Sequence, residues 1–574
     1  MDARICQELS RLACHFARFA DGDGLVAVTV AWLVERCLEG DVCVDLREKE
    51  GRALFEGMPP MPALAIWCKA LAAHPWIGSG APLVLDGHRL YLARHFRNEV
   101  TVAQGILSRL PFDPIAPEDV VRTRLSELFP DGGEQKAAVA AACARRFAVI
   151  TGGPGTGKTT TVLRLIALWR SLSPDLRIAL SAPTGKAAGR LAESLAGGVR
   201  HLPPDFREGI PHQAATLHRL LKVGGEDPHG PEHPLPLDAL VVDEASMVDL
   251  ALMARLMESL PQGARIVLLG DREQLASVEA GSVLGDITGR GARLPYSIRL
   301  ARWLEKVGAP VAGDPVLFEG IQDAIIELRE SHRFHPRMGV GRLARAIREG
   351  DMRSLRACLK EEKDVKLWLQ AGQEPGREVL RWMDRHFTPV FEAPDVKKAL
   401  DALSRARVLS ALRSGPWGEE GMVARFEAGL ARRGRIQDPS RPYHGLPIIV
   451  VRNDYETGLF NGDVGLLWRE GGRLRACFPE GEGIRRVPLR QLPEWRKAWV
   501  MTVHRAQGSE FDAVLLVLPP PETPVLTREL IYTGVTRARR HCIIASSRGA
   551  LEEGLKRRVG RTSGLAWRLG WARL

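Results

Sequence analysis

Apolar residues change their spacing partway along this 574-residue chain. Up to about residue 115 they recur at helical intervals, as at Leu9, Leu12, Ala13, Phe16 and Phe19, with a short hairpin expected near 83–91. Three prolines within 111–118 mark a boundary. From about 134, short β-branched runs alternate with helical stretches. Strands are expected at 147–151, 177–181, 239–242 and 266–269, and helices from about 158 and 186. A Pro/Gly/His-rich loop fills 224–236. Such alternation predicts a parallel α/β sheet. A second α/β region follows, with strands at 406–411, 448–451, 499–503, 513–518 and 541–545. Within it, Asn461-Gly462, Gly471-Gly472 and Gly481 to Gly483 punctuate short strands, which predicts a small β insertion at about 454–496. The expected organisation is a mainly helical domain at 1–115 and α/β domains at 116–320 and 321–574, with no internal repeat.

Composition narrows the class. Hydrophobic residues at 45% and charged residues at 26% exclude a mostly disordered chain. Nine cysteines without a C-x-x-C pair read as reduced thiols of a cytoplasmic protein and argue against a structural zinc. The longest apolar run, 25–34, is about half the ~20 residues of a spanning helix. The first residues lack the pattern of a signal peptide. A net charge of +11 suits a polyanionic partner without requiring one.

The strongest chemical signal is Gly152-Gly153-Pro154-Gly155-Thr156-Gly157-Lys158-Thr159, a full G-x-x-x-x-G-K-[ST] loop between a strand and a helix. Its glycines let backbone N–H groups wrap a phosphate. Lys158 supplies charge to the β/γ phosphates, the Thr159 hydroxyl suits Mg²⁺, and the helix start adds its positive end. Asp243 and Glu244 follow an apolar strand, where α/β sheets hold ligands. Asp243 suits Mg²⁺ through its water shell, and Glu244 suits the orientation and deprotonation of water. Gln274, beyond Gly270-Asp271, is placed to sense a γ-phosphate, although a lone glutamine there is more often a surface residue.

Read in order, these residues resemble superfamily-one helicases, and more narrowly the RecD family, the α subunits of bacterial exodeoxyribonuclease V complexes. The resemblance spans 135–544. It takes in Glu134-Gln135-Lys136, Ala182-Pro183-Thr184-Gly185-Lys186-Ala187-Ala188, Thr216-Leu217-His218-Arg219-Leu220 and Ser331-His332-Arg333-Phe334. Gly415-Pro416-Trp417-Gly418, Phe460-Asn461-Gly462-Asp463, the run from Val503 to Phe511, and Tyr532-Thr533-Gly534-Val535-Thr536-Arg537-Ala538 continue it. Val423 departs from the pattern, because many relatives carry Asn there.

The resemblance implies two RecA-like P-loop domains, a small SH3-like β insertion in the second, and ATP with Mg²⁺ as cofactors. It assigns ATP contacts to Gln135, to the loop from Gly152 through Thr160, and to Gly508 and Glu510. Catalytic roles fall to Lys158, Glu244, Gln274, Arg333 and Arg537, and metal contacts to Thr159 and Asp243. DNA contacts fall to Thr184, Thr216, His218, Asn461, Thr502 and His504. It further implies a 5′→3′ translocase on single-stranded DNA and DNA ends, working beside RecB-like and RecC-like subunits in a heterotrimer. No nuclease constellation is present in the sequence.

Alternatives stand beside this reading. They are a stand-alone 5′→3′ helicase, a P-loop ATPase unrelated to nucleic acid, and an assembly module with a relic phosphate loop. The first 115 residues read equally as a docking domain or as a helical cap on the motor. The stretch 537–574, with ten basic and two acidic residues, borders a DNA path or forms a solvated helix face.

Overall fold

The computed structural model describes residues 24–225, 227–291, 295–311, 313–331, 338–370, 372, 374–454, 456–481 and 483–571. The apolar spacing at Leu9 to Phe19 and the motif residues His332, Arg333 and Phe334 lie outside the described residues.

The first α/β lobe is a six-stranded parallel sheet in the order β6-β5-β7-β8-β4-β9. Its strands are β4 (Phe147–Gly152), β5 (Ile178–Ala182), β6 (Ala215–Thr216), β7 (Ala239–Val242), β8 (Arg265–Gly270) and β9 (Ile325–Leu328). β4, β7 and β8 are buried along their whole length. Helices cover both faces of such strands, so they read as continuous apolar runs. The order β7-β8-β4 sets three strand ends side by side. β9 pairs with β4, Val149 opposite Ile325, so this sheet extends past the expected boundary at 320.

The second lobe is a five-stranded parallel sheet, β10-β19-β18-β11-β17. It comprises β10 (Val365–Leu369), β11 (Ala406–Ser410), β17 (Val500–Thr502), β18 (Phe511–Val517) and β19 (Ala538–Ser546). The strand expected at 448–451 does not join it. Instead β12 (Leu446–Val450) pairs antiparallel with β13 (Val464–Glu470) and β16 (Trp495–Lys497). With β14 (Arg473–Glu480) and β15 (Gly483–Pro488) these form a separate five-stranded sheet. The insertion therefore begins at about 446. Its first strand, Leu-Pro-Ile-Ile-Val, is buried throughout, and a short apolar run does not reveal which sheet it joins.

The N-terminal region is mainly helical, with Gly24–Leu38, Leu64–Ala72 and Ala93–Leu107. It also holds an antiparallel sheet of β1 (Cys43–Asp45), β3 (Arg89–Leu92) and β2 (Leu83–Asp86), in which β2 and β3 form the expected hairpin. Helix Ala93–Leu107 packs on helix Leu250–Ser259 of the first lobe, in a core shared by Val102, Ile106 and Met253. Gly105 permits that approach: a Cβ there would lie 2.8 Å from the Met257 Cβ.

The basic C-terminal stretch is neither a solvated helix face nor free to line DNA along its whole length. Beyond helix Arg548–Lys556 it returns as a strap over the N-terminal region and the first lobe. Arg561 donates to the Glu279 and Gly281 carbonyls at 2.6 and 2.7 Å. Glu99, fully buried, accepts from Tyr91 Oη at 3.0 Å, Ser563 Oγ at 3.0 Å, Gly564 N at 2.9 Å and Arg568 Nε at 2.8 Å. Glu99→Ala leaves four donors without their acceptor and breaks a buried ion pair, a loss of about 3–5 kcal/mol. Trypsin is expected to cut after Arg561 or Arg568 much faster in this variant; unchanged cleavage would show that the strap is held by other contacts.

Candidate nucleotide and DNA site

The first lobe brings its chemistry to the carboxyl edge of adjacent strands. β4 runs into the phosphate loop, in which Gly155 and Gly157 hold φ of 76° and 81°. L-residues avoid that region, so glycine is required for the loop to turn. The helix Lys158–Leu172 has no side-chain cap, which leaves its leading N–H groups for a ligand. Lys158 Nζ folds back on the loop and donates to Gly152 O at 2.7 Å and Gly153 O at 3.1 Å.

β7 delivers Asp243 and Glu244. Asp243 Oδ1 accepts from Glu244 N at 2.8 Å, and Glu244 sits at φ 50°, ψ 40°. A glutamate in the left-handed region stores strain of about 1 kcal/mol, a feature that concentrates at functional sites. Burial, then the adjoining Glu244 charge, push the Asp243 carboxyl well above the usual carboxylate range, against the pull of Lys158. β8 delivers Asp271, whose Oδ2 accepts from Gln274 Nε2 at 3.2 Å and from Tyr532 Oη of the second lobe at 3.0 Å. Gln274 Oε1 is buried without a hydrogen-bond partner among the described residues.

The second lobe meets this edge with the amino ends of β18 and β19. Gly508 and Glu510 precede β18, and Arg537 precedes β19. Arg537 is only 4% exposed; its Nε donates to Thr533 O at 3.1 Å and its Nη1 to Ser509 O at 3.4 Å. It forms no ion pair with another described residue. Between the lobes lies a cleft of about 560 Å³. The first lobe lines it with Gln135, Pro154, Gly155, Gly157, Lys158, Thr159 and Thr160, and with Asp243, Glu244, Asp271 and Gln274. The second lobe contributes Gly508, Glu510 and Arg537. Gly153 and Thr156 line the adjoining crevice with Pro154.

Sequence reasoning missed Arg190, which also lines the cleft. It stands four residues beyond Lys186 on helix Gly185–Val199, hence one turn along the same face. That spacing was the available signal. Lys186 itself crosses to the second lobe and donates to Ser509 Oγ at 2.7 Å. Burial, then Arg190 and Arg407, bring its pKa down to about 7. Further contacts join the lobes: Gln507 Nε2 to Leu275 O at 3.0 Å, and Leu275 N to Thr533 Oγ1 at 2.9 Å.

The DNA-contact candidates do not line this cleft; Thr216 ends β6 and Thr502 ends β17. Their hydroxyls have structural work. Thr184 caps helix Gly185–Val199 by accepting from Ala187 N, Thr216 caps Leu217–Leu220 by accepting from Arg219 N, and Thr502 accepts from Arg505 N. Each keeps one O–H to donate. His218 and Asn461 are exposed. Burial, with help from Arg561, lowers the His504 pKa, so that imidazole is neutral at pH 7. Phe460 of the insertion seats on Gly185, where a Cβ would come within 2.8 Å of the Phe460 Cβ. No cluster of three metal-ligating side chains occurs among the described residues. Among them, no helix is long and apolar enough to cross a membrane.

Comparison with known proteins agrees with this architecture. Residues 135–280 match the model for an AAA domain, and 497–545 match a UvrD-like helicase C-terminal domain. Residues 6–91 match the N-terminal domain of RecBCD enzyme subunit RecD. RecBCD enzyme subunit RecD of Mycobacterium tuberculosis is 36% identical over 99% of this chain and 94% of its own length. That of Mycolicibacterium smegmatis is 35% identical over 99% and 97%. The ATP-dependent RecD2 DNA helicase of Deinococcus radiodurans is 31% identical over 84% of this chain and 58% of its own length. A solved Pif1 helicase from Bacteroides, in complex with ADP-AlF3 and ssDNA, aligns over 71% of this chain and 90% of its own at 15% identity and a TM-score of 0.36, too distant to bear on function. With two RecA-like lobes closing on a phosphate loop and near-full-length identity to curated subunits, this chain belongs to the RecD family.

Proposed function

We propose that this chain is the ATP-driven 5′→3′ helicase and translocase subunit of a RecBCD-type complex. It would couple Mg-ATP hydrolysis to movement on single-stranded DNA during repair and recombination of broken ends. RecB-like and RecC-like subunits are its partners in this reading, and the complex is cytoplasmic. One observation carries it: each lobe supplies part of one cleft, with the phosphate loop, carboxylates and Gln274 on one side and Arg537 on the other.

The residues present fit the nucleotide and its cation. The glycine loop forms a phosphate cradle, Gln274 Oε1 is a buried acceptor with no partner among the described residues, and the adjoining carboxylates of Asp243 and Glu244 suit a hard cation. Thr159 and Asp243 would hold Mg²⁺, whose contribution is to neutralise charge on phosphate oxygens. Magnesium is commonly held by one or two carboxylates plus phosphates, so a larger cluster is not needed. Lys158 exchanges its two loop carbonyls for phosphate oxygens. Glu244 orients water and takes its proton, Gln274 reports the γ-phosphate, and Gln135, which lines the same cleft, would contact the base. Arg537 adds the second lobe's charge, and Arg333 would add another.

Mechanical coupling follows from helix Gly185–Val199. Its cap, Thr184, is a DNA-contact candidate. Lys186 on its first turn holds the second lobe, and Arg190 one turn later faces the nucleotide cleft. Movement of the second lobe therefore reaches DNA and nucleotide through one rigid element. The test is unwinding of duplexes bearing a 5′ or a 3′ single-stranded tail, with and without co-purified partners. ATP-dependent unwinding confined to 5′-tailed duplexes supports the proposal, whereas confinement to 3′ tails, or ATP turnover indifferent to DNA, overturns it.

A further inference from the structure

A second groove, of about 500 Å³, lies on the second lobe between its sheet and helix Arg377–Glu392. Its residues are separate from those of the nucleotide cleft. One wall is the sheet face carrying Lys366 and Trp368 of β10, with Ile543 and His541 of β19. Lys366 stands opposite Ile543 in the ladder, so these side chains share a face. The other wall is helix Arg377–Glu392, which presents Glu378, Arg381, Trp382, Arg385 and His386 at helical spacing.

Two properties combine here. Lys363, Lys366, Arg381 and Arg385 are exposed, and none forms an ion pair with another described residue. Of the two acids in the lining, Asp364 accepts from Val340 N at 3.2 Å and is thereby turned to a structural task. Rings lie between the charges. The His386 imidazole stacks on Trp382, centroids 4.0 Å apart at 24°, with its Nδ1 2.9 Å from Trp382 O. Trp368 on the opposite wall is half-buried. Unpaired cations beside backed ring faces are the elements of a site for single-stranded nucleic acid, in which phosphates meet the charges and bases stack.

We infer that this groove is a second binding site for single-stranded DNA, outside the path between the lobes. The inference rests on the reading that this chain works on DNA, and it adds a site that the motor cycle does not require. A strand held there would be tethered to the second lobe through every turnover.

The test compares oligo(dT) of about 8 nucleotides, near the size of one binding path, with oligo(dT) of roughly 30, which can reach both sites. In the full chain, K366E/R381E/R385E is expected to weaken the long oligonucleotide about tenfold or more and to flatten the slope of log affinity against log salt by about 2. ATP turnover stimulated by the short oligonucleotide should be unchanged. Trp368→Ala is expected to weaken the long oligonucleotide several-fold, with its salt slope unchanged. Parental affinity and slope in both variants would overturn the inference. So would a groove that responds to polyglutamate as it does to oligo(dT) and ignores the loss of Trp368, since that describes an acidic-peptide site. Failure of the short oligonucleotide to stimulate the parent chain would instead count against the motor reading.

Discussion

Lys158→Ala is expected to cut DNA-stimulated ATP turnover by roughly 10²–10³-fold or more while the fold survives. Removing one preorganised donor from developing phosphate charge has effects of that order. The structural cost is small by comparison. Lys158 is half-buried, and among the described residues its ammonium hydrogen-bonds only to the Gly152 and Gly153 carbonyls of the phosphate loop. Losing those bonds costs about 1 kcal/mol, and the Tm should move by no more than a few degrees. Turnover, nucleotide affinity and Tm measured together decide the matter. Normal turnover would remove the phosphate-site assignment, while unfolding would show that Lys158 has a structural role the geometry does not suggest.

The cleft was legible where chemistry fixes residue types over short spans. The phosphate loop, Asp243-Glu244 and Gly270-Asp271 each follow a strand, and adjacency of β4, β8 and β7 brings those strand ends together. Arg537 lies far beyond Asp271 in the sequence, yet its motif was compact enough to be read. What escaped was pairing between distant segments. The run at Leu446–Val450 gave its strand character but not its sheet. Arg561 and Arg568 looked like solvated charge, because Glu99 and the Glu279–Gly281 carbonyls lie hundreds of residues away in sequence. Thr184 and Thr216 were assigned to DNA through the motifs they resemble, and the structure adds a task that motif matching does not show, because both begin helices and their oxygens serve as caps. Arg190 was within reach by helical spacing from Lys186 alone.

Arg537→Ala is expected to leave nucleotide binding within a few-fold of the parent and to slow hydrolysis by on the order of 10³-fold or more, the range of arginine fingers. The geometry supports that split. A guanidinium 4% exposed, with carbonyl partners and no described carboxylate partner, is a charge held for an anion. Its removal takes away a desolvated cation, which offsets the two hydrogen bonds lost. Thr533 O also keeps a donor, the Thr536 hydroxyl at 3.1 Å. Stability should therefore change little. Arg537→Lys restores charge without the planar fork, so only partial recovery of hydrolysis is expected. Single-turnover hydrolysis beside equilibrium nucleotide binding separates the possibilities. A slow chemical step with binding intact places Arg537 at the reacting phosphate. Loss of binding together with a large fall in Tm would instead make it a brace between helix Arg528–Val535 and the Ser509 loop, and the second lobe would then have to act on the nucleotide through other residues.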